Sequence, residues 1–305
     1  MPARQQRSSE DSGKVLRRRQ TLLAWGFALP FVVIFCVFML VPLLSSMAMS
    51  FTDITSRDLR TPFNVNVVGI DQYLALAKDP RFLHSLTVTG IFVIVGLPIT
   101  IAIAMALAVA LNKGSRHLNA FFRALYYAPV VASVVAVSMV WRYILQSDGL
   151  LNSILSVFGV QGPDWLHDTR FALPALMVMT IWRNTGTLMI IFLAGLQSIP
   201  TELKEAAAID GAGKWRIFRS ITLPLMRPTI LLGAVLLSVA YLQFFEESFV
   251  MTQGGPLDST LSAAYYVYQK FGFGQYGIAS AASWVLFAII AAVSVLQFRV
   301  LKSED

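Results

Sequence analysis

Arg183 stands inside an apolar run with Asn184, Thr185 and Thr187 beside it. Another apolar run carries Tyr241, Gln243, Phe244, Glu246 and Glu247, and a later one carries Ser280 and Ser283. Charges within a bilayer are costly and face a bundle interior, a watery path or an opposite charge. Two chemistries fit such a set: recognition of a polar solute, or a buried ion pair between Arg183 and Glu246 or Glu247. An aromatic face beside amide and hydroxyl donors, as Tyr241 and Phe244 beside Asn184 and Thr187 would supply, suits the C–H and O–H surfaces of a sugar. A free guanidinium would suit an anion.

Covalent chemistry finds no footing. His84, His117 and His167 lie far apart, and Cys36 is the single cysteine, so disulfide frameworks and four-cysteine metal sites are excluded. Gly211-Ala-Gly213-Lys214 is followed by Trp215, whereas a phosphate-binding loop requires Ser or Thr after its lysine. No catalytic residue, metal site or cofactor is expected in this chain.

The elements that must position these residues are membrane helices. Hydrophobic residues make up 56 % of the 305 and charged residues 13 %, with mean hydropathy +0.65. Soluble domains hold about 45–50 % and about 25 % respectively, so the fold class is an all-α membrane protein. A bilayer core of about 30 Å needs roughly 20 apolar residues per helix. Six segments qualify, at about 22–48, 86–111, 121–145, 172–196, 228–250 and 277–300. The first is too long for a signal-peptide core and lacks a cleavage site, so it stays as an anchor. Pro98 is expected to kink the second span. Small residues such as Gly277, Ala281 and Ala288 permit close helix approach.

Sixteen Lys and Arg fall in alternate loops and both termini, six of them before the first span, against seven in the remaining loops. The positive-inside rule then places both termini and the 197–227 loop in the cytoplasm. The net charge of +7 is a topology signal rather than a nucleic-acid footprint. Residues 1–20 read as a basic cytoplasmic tail and 21–50 as the first transmembrane helix. Residues 51–85 read as an external loop with an interfacial helix near Asp71–Leu76. Residues 86–300 form a five-helix core containing the loop 201–224, and 301–305 a cytoplasmic tail.

That loop is more elaborate than a connection requires. Pro200-Thr201 opens a helix, with Glu202 and Glu205 near its positive end. Ala206, Ala207 and Ala208 combine high helix propensity with little bulk, so the helix can enter a narrow groove. Gly211 suits a helix stop at positive φ, with Asp210 capping the second helical piece. Trp215, Phe218 and Ile221 or Thr222 share one stripe of that second piece, which Pro224 ends.

The spacing Glu-Ala-Ala, three residues, Gly, nine residues, Ile-x-Leu-Pro resembles the "EAA" loop of ABC-importer permeases. Asn112, Arg123-Ala-Leu-Tyr-Tyr-Ala-Pro129, Gly149-Leu-Leu-Asn152, Leu193-Ala-Gly-Leu-Gln-Ser-Ile-Pro200, Met251-Thr-Gln-Gly-Gly-Pro256 and Tyr265-Tyr-Val-Tyr268 resemble the sugar-importer branch. These motifs span about residues 20–300 in order. They are most similar to permeases of the maltose and glycerol-3-phosphate type. The resemblance implies the six-helix type I importer fold and a heterodimer with a second, related permease. It also implies two ATPase subunits that bind ATP and Mg, an external substrate-binding protein, and an inner-membrane location. It implies that Glu205, Ala206, Ala207, Asp210 and Gly211 dock in the ATPase, with Glu205 facing a basic group. Trp215, Phe218, Ile221, Leu223 and Pro224 would support them. It places substrate contacts near Asn184, Thr187, Tyr241 and Phe244, where the residue types differ from the maltose case. Glycerol-3-phosphate and glycerophosphodiesters are alternative cargoes. An ion-coupled carrier, a different class, would need its own ion site and paired repeats with broken helices.

Overall fold

The computed structural model describes residues 21, 23–60, 65–112 and 116–301. The basic tail 1–20, Lys113 and the tail beyond 301 lie outside them. Among the described residues four helices are long enough and apolar enough to cross a membrane: α1 (Leu23–Met49), α3 (Pro80–Asn112), α7 (Ala172–Gln197) and α13 (Tyr276–Leu301). Between them lie α2 (Asp71–Lys78), α4 (Arg116–Val131), α5 (Val134–Ile144), α6 (Leu150–Val157) and α8 (Thr201–Ile209). Then come α9 (Lys214–Leu225), α10 (Arg227–Leu242), the π-helical turn α11 (Ser248–Thr252) and α12 (Ala263–Gly272), and a short 3-10 turn at Asp58–Arg60 lies between α1 and α2. Extended pairing among the described residues is limited to one bridge between Thr52 and Val67.

Of the six expected crossings four are single helices, and two, 121–145 and 228–250, are interrupted. The 121–145 segment is α4 and α5, turned through 98° at Ala132–Ser133. Pro129 removes one backbone donor just before this break. The expected 228–250 helix stops at Leu242; three non-helical residues, Gln243 to Phe245, precede the turn that resumes at Glu246. By contrast α3 runs uninterrupted through Pro98 over 33 residues. At 1.5 Å per residue that is about 50 Å, more than a bilayer core requires.

Prolines leave a different mark elsewhere. In α1 a π turn at Cys36–Leu40 ends with the Val41 N–H bonded to the Cys36 carbonyl, immediately before Pro42. In α9 the π turn Phe218–Thr222 ends with the Leu223 N–H on the Phe218 carbonyl, immediately before Pro224. A helical proline clashes with the carbonyl four residues back, and widening the turn relieves that clash. Pro224 therefore does not end its element as expected. The break falls at Met226, where α9 and α10 meet at 66°, and Pro228 occupies the first turn of α10.

The core forms where α3, α7 and α10 pack together around Phe92, Met179, Met189, Phe192 and Tyr241. In lipid, association rests on close packing rather than dehydration. Gly277 illustrates this: a Cβ there would stand 2.2 Å from the Thr52 carbonyl oxygen, and its N–H donates to Ile54. Ala281 is likewise buried, while Ala288 is exposed, so only part of that small-residue set packs.

At the end of the bundle opposite α8, side chains tie α3 to the 253–262 loop. Arg81 donates from Nε and Nη2 to the two carboxylate oxygens of Asp258, at 2.8 and 2.9 Å. The Tyr266 hydroxyl donates to Asp79 at 2.6 Å, and Lys270 lies 3.9 Å from that carboxylate. Thr260 bonds Thr252 and the Gly255 carbonyl from inside the loop. The Arg81 guanidinium holds the Asp258 carboxyl below its ordinary range, against a smaller opposing effect of burial. A carboxyl depressed on folding gives stability that is complete above the unfolded pKa, about 4, and is lost as pH falls through the folded value. The pair is partly exposed, so Asp258→Asn should cost about 1 kcal/mol or less at neutral pH. In thermal melts of the purified protein, the gap between the native chain and Asp258→Asn should close on acidification below about pH 4. A gap unchanged with pH would mean that the clamp does not stabilise the fold.

Candidate functional site

The α8 helix begins after Pro200, which takes extended backbone angles, and Glu202 lies in its first turn. Its end is closed by a paired hydrogen-bond turn: Ala212 N–H donates to the Ala207 carbonyl at 2.9 Å and Gly211 N–H to Ala208 at 3.1 Å. This geometry puts Gly211 at φ +78°, in the left-handed region that favours glycine. Asp210 is the C-terminal cap residue of α8 and does not cap the next helix, whose N-cap is Gly213. The expectation for Asp210 fails because Ala212 and Gly213 intervene.

Glu205, Ala206, Asp210 and Gly211 are exposed, Ala207 is half-buried, and Ile209 is 86 % exposed. The helix packs only lightly, against α9. The segments flanking this arm are rooted in the core by Leu196 and Ile199 on one side and Thr222 and Met226 on the other, all buried. On α9, Trp215 stacks on Phe218 at 5.7 Å and is 72 % exposed. Ile221 and Pro224 are half-buried, and Leu223 is exposed. The docking and supporting residues read from the sequence thus lie on one protruding arm, with apolar side chains facing outward.

The second group lies within the membrane helices. Tyr241, 1 % exposed, shares a hydrogen bond of 2.8 Å with the Thr100 hydroxyl. Phe244, 3 % exposed, stacks on Phe92 at 4.1 Å, and Phe92 meets Tyr241 edge-on at 5.3 Å. Their ring faces are occupied by span-two side chains. Contact with a solute at these rings would require α3 and α10 to part. Asn184 donates to the Thr180 carbonyl at 2.9 Å and Thr185 to Ile181 at 2.6 Å. Thr187 is half-buried.

The expected ion pair is not formed. Among the described residues the ion pairs within 4.0 Å are Arg81–Asp258, His167–Asp164 and Lys270–Asp79. The Arg183 Nε and the Glu247 Oε2 are both buried without a hydrogen-bond partner, as is the Ser138 hydroxyl. Glu247 is 5 % exposed while Glu246 is exposed. The break at Gln243–Phe245 explains the separation: Glu246 and Glu247 belong to the turn beyond it, displaced from a straight α10. That turn packs against α5, where Arg142 reaches the Val250 carbonyl at 3.5 Å.

Sequence reasoning missed Ser138, Thr180 and the break itself. A single serine in an apolar stretch was the available signal for Ser138. The break carries no proline or glycine and left none. Asn152, noted only as a motif residue, staples the 145–171 loop, donating to Ser147 and Pro163 and accepting from the Trp165 indole.

The family of binding-protein-dependent transport system inner membrane components matches residues 96–302. The chain is 34 % identical over 288 residues to a probable ABC transporter permease protein of Bacillus subtilis, YesP, covering 92 % of this chain and 91 % of that protein. It is 34 % identical over 289 residues to the lactose transport system permease protein LacF of Rhizobium radiobacter, covering 93 % and 95 %. A chain of a bacterial ABC transporter that imports alginate, an acidic polysaccharide, superposes with TM-score 0.79 at 23 % identity, over 96 % of this chain and 98 % of that one. The last likeness bears on the fold.

Gly211→Val should unfasten the α8 terminus, because the left-handed conformation costs a residue with a Cβ about 1–2 kcal/mol. Hydrogen exchange at the Ala212 amide should accelerate roughly tenfold. Unchanged exchange would mean that the turn at Gly211 does not secure the helix.

Proposed function

The chain belongs to the binding-protein-dependent transport system inner membrane components, and from this premise we propose that it is one permease half of an ATP-driven importer of a sugar or sugar-like solute. A second, related permease completes the pathway, two ATPase subunits supply nucleotide chemistry, and an external binding protein delivers cargo. Both termini and the α8 arm face the cytoplasm of a cell whose inner membrane the protein spans. The observation that carries the reading is the α8 arm itself. It is exposed, closed at its C-terminal end by Gly211 and rooted at both flanks in the core, which suits a helix that transmits force from a partner.

Glu205, Ala206, Ala207, Asp210 and Gly211 form the docking face, and the alanines let it enter a cleft without steric conflict. Trp215, Phe218, Ile221, Leu223 and Pro224 brace it. Glu205 pairs with a basic group of the ATPase. Glu205→Ala in the assembled complex should leave membrane insertion intact and weaken ATPase docking by about 2 kcal/mol or more, some thirtyfold. Uptake and cargo-stimulated ATP hydrolysis should fall together. Native rates in Glu205→Lys would sink the assignment.

Cargo passes beside Arg183, Asn184, Thr187, Glu246 and Glu247, with Tyr241 and Phe244 behind them. The break at Gln243–Phe245 supports this course, since non-helical backbone at membrane depth is tolerated only inside protein or along a watery cavity. The Arg183 nitrogen without a partner favours a second reading, in which the cargo is anionic, such as glycerol-3-phosphate or a glycerophosphodiester. Arg183→Gln should abolish uptake of an anionic cargo while sparing a neutral sugar. Recovery of transport in the exchange Arg183→Glu with Glu247→Arg would instead assign the two groups to an ion pair formed in another state of the cycle.

A further inference from the structure

A groove of about 1170 Å³ lies between the last three turns of α3 and the α8–α9 arm. Its walls are Ile101, Met105 and Val109 of α3, Leu196 of α7, Phe218 of α9 and Ile230 of α10. Ala102 and Ala106, both exposed, face it with almost no bulk, so a chain could lie directly on the α3 surface. From Ile101 to Asn112 the groove runs about 16 Å along the helix, about half of a bilayer core near 30 Å. Lys204 and Lys214 join Asn112 and Thr201 at the rim, beside the exposed indole of Trp215. The charged groups of the lining are both cations, and the hydroxyl of Thr222 is the one polar side chain among the remaining wall residues. Neither ammonium has an ion-pair partner within 4.0 Å among the described residues, and neither Glu202 nor Glu205 lines the groove.

We propose that this groove is a binding site for an anionic glycerophospholipid of the adjacent leaflet, its acyl chain along Ile101–Val109 and its phosphate between Lys204 and Lys214. Three features select that occupant. The apolar walls offer a sugar almost no partners, and the volume exceeds the 300–1,000 Å³ typical of small-solute pockets. The single cationic end matches a molecule charged at one end, and a tryptophan at that level is a side chain suited to the membrane–water boundary. Depth equal to one leaflet fits one lipid rather than a spanning partner helix. Because Lys204 is on α8 and Phe218 on α9, the bound lipid would brace the docking arm against α3, linking the arm's rigidity to membrane composition. The effect on the docking arm rests on the proposed function; the lipid site itself rests on the groove alone.

The test is native mass spectrometry of the full-length protein released from nanodiscs of equimolar phosphatidylglycerol and phosphatidylcholine. The native chain should retain one phospholipid with a preference for phosphatidylglycerol of roughly fivefold for each lysine at the rim. Lys204→Gln with Lys214→Gln should keep a lipid and lose the preference. Ala106→Trp, which fills the groove, should lose the lipid while leaving the protein folded by circular dichroism. Equal retention of both lipids by the native chain overturns the proposal, as does retention unchanged in both variants. Loss of the bound lipid on adding the purified ATPase would assign the groove to that subunit and likewise overturn it.

Discussion

In hydrocarbon, every backbone N–H and C=O needs a partner within the protein, and that requirement governs this molecule more than any single contact. It makes each uninterrupted span a helix and makes each interruption informative. The bend at Ala132–Ser133 and the gap at Gln243–Phe245 both leave backbone groups outside the helical ladder. They are sheltered by each other's helices: α5 packs against the α11 turn, and Arg142 caps the Val250 carbonyl. Ser138 sits on α5 and Glu247 just beyond the gap, each with an unsatisfied polar atom, as has Arg183 on the neighbouring α7. The unsatisfied side chains and the broken backbone thus report one region where the bundle is not sealed by packing alone.

Outside the membrane core the constraint is reversed. A nine-residue helix is marginal in water on its own, since isolated helices below about 12–15 residues rarely persist. The α8 helix lacks the tertiary burial that stabilises most helices. What replaces it is local: three alanines, Glu202 in the first turn, and the Gly211 closure. Its flanks are fixed by Ile199 and Met226, so the arm moves with α7 and α10 rather than by itself. The arm is thus continuous at its two ends with the helices that carry Asn184 and Tyr241.

The sequence made the helical class, the span limits of α1, α7 and α13, and the outward arm legible, because apolar length and alanine–glycine punctuation are local signals. The bends were less so. Pro129 was visible, but Pro98 lies inside an uninterrupted helix and Pro224 is accommodated by the π turn before it. Nothing local marks Gln243–Phe245, where the stacking of Phe244 on Phe92 favours a non-helical path. The Arg183–Glu247 pair failed for that reason: its geometry assumed a straight α10. Tyr241 and Phe244 were found as a polar-aromatic pair, but their burial against α3 is a tertiary fact.

The stacking of Phe244 on Phe92 also shows how the two ends of the molecule are joined. Phe92 belongs to α3, whose first turns are clamped through Arg81 to Asp258 and whose last turns face the α8–α9 arm across the groove. One continuous helix therefore touches the loop clamp, the aromatic cluster and the α8–α9 arm. A rotation of α10 driven from the arm would have to slide Tyr241 off Thr100 and Phe244 off Phe92, breaking one buried hydrogen bond and one stack. Buried hydrogen bonds and aromatic pairs are each worth about 1 kcal/mol. Contacts of that size hold the cluster together without locking it. The same separation would expose the ring faces beside Asn184 and the unsatisfied Arg183 and Glu247.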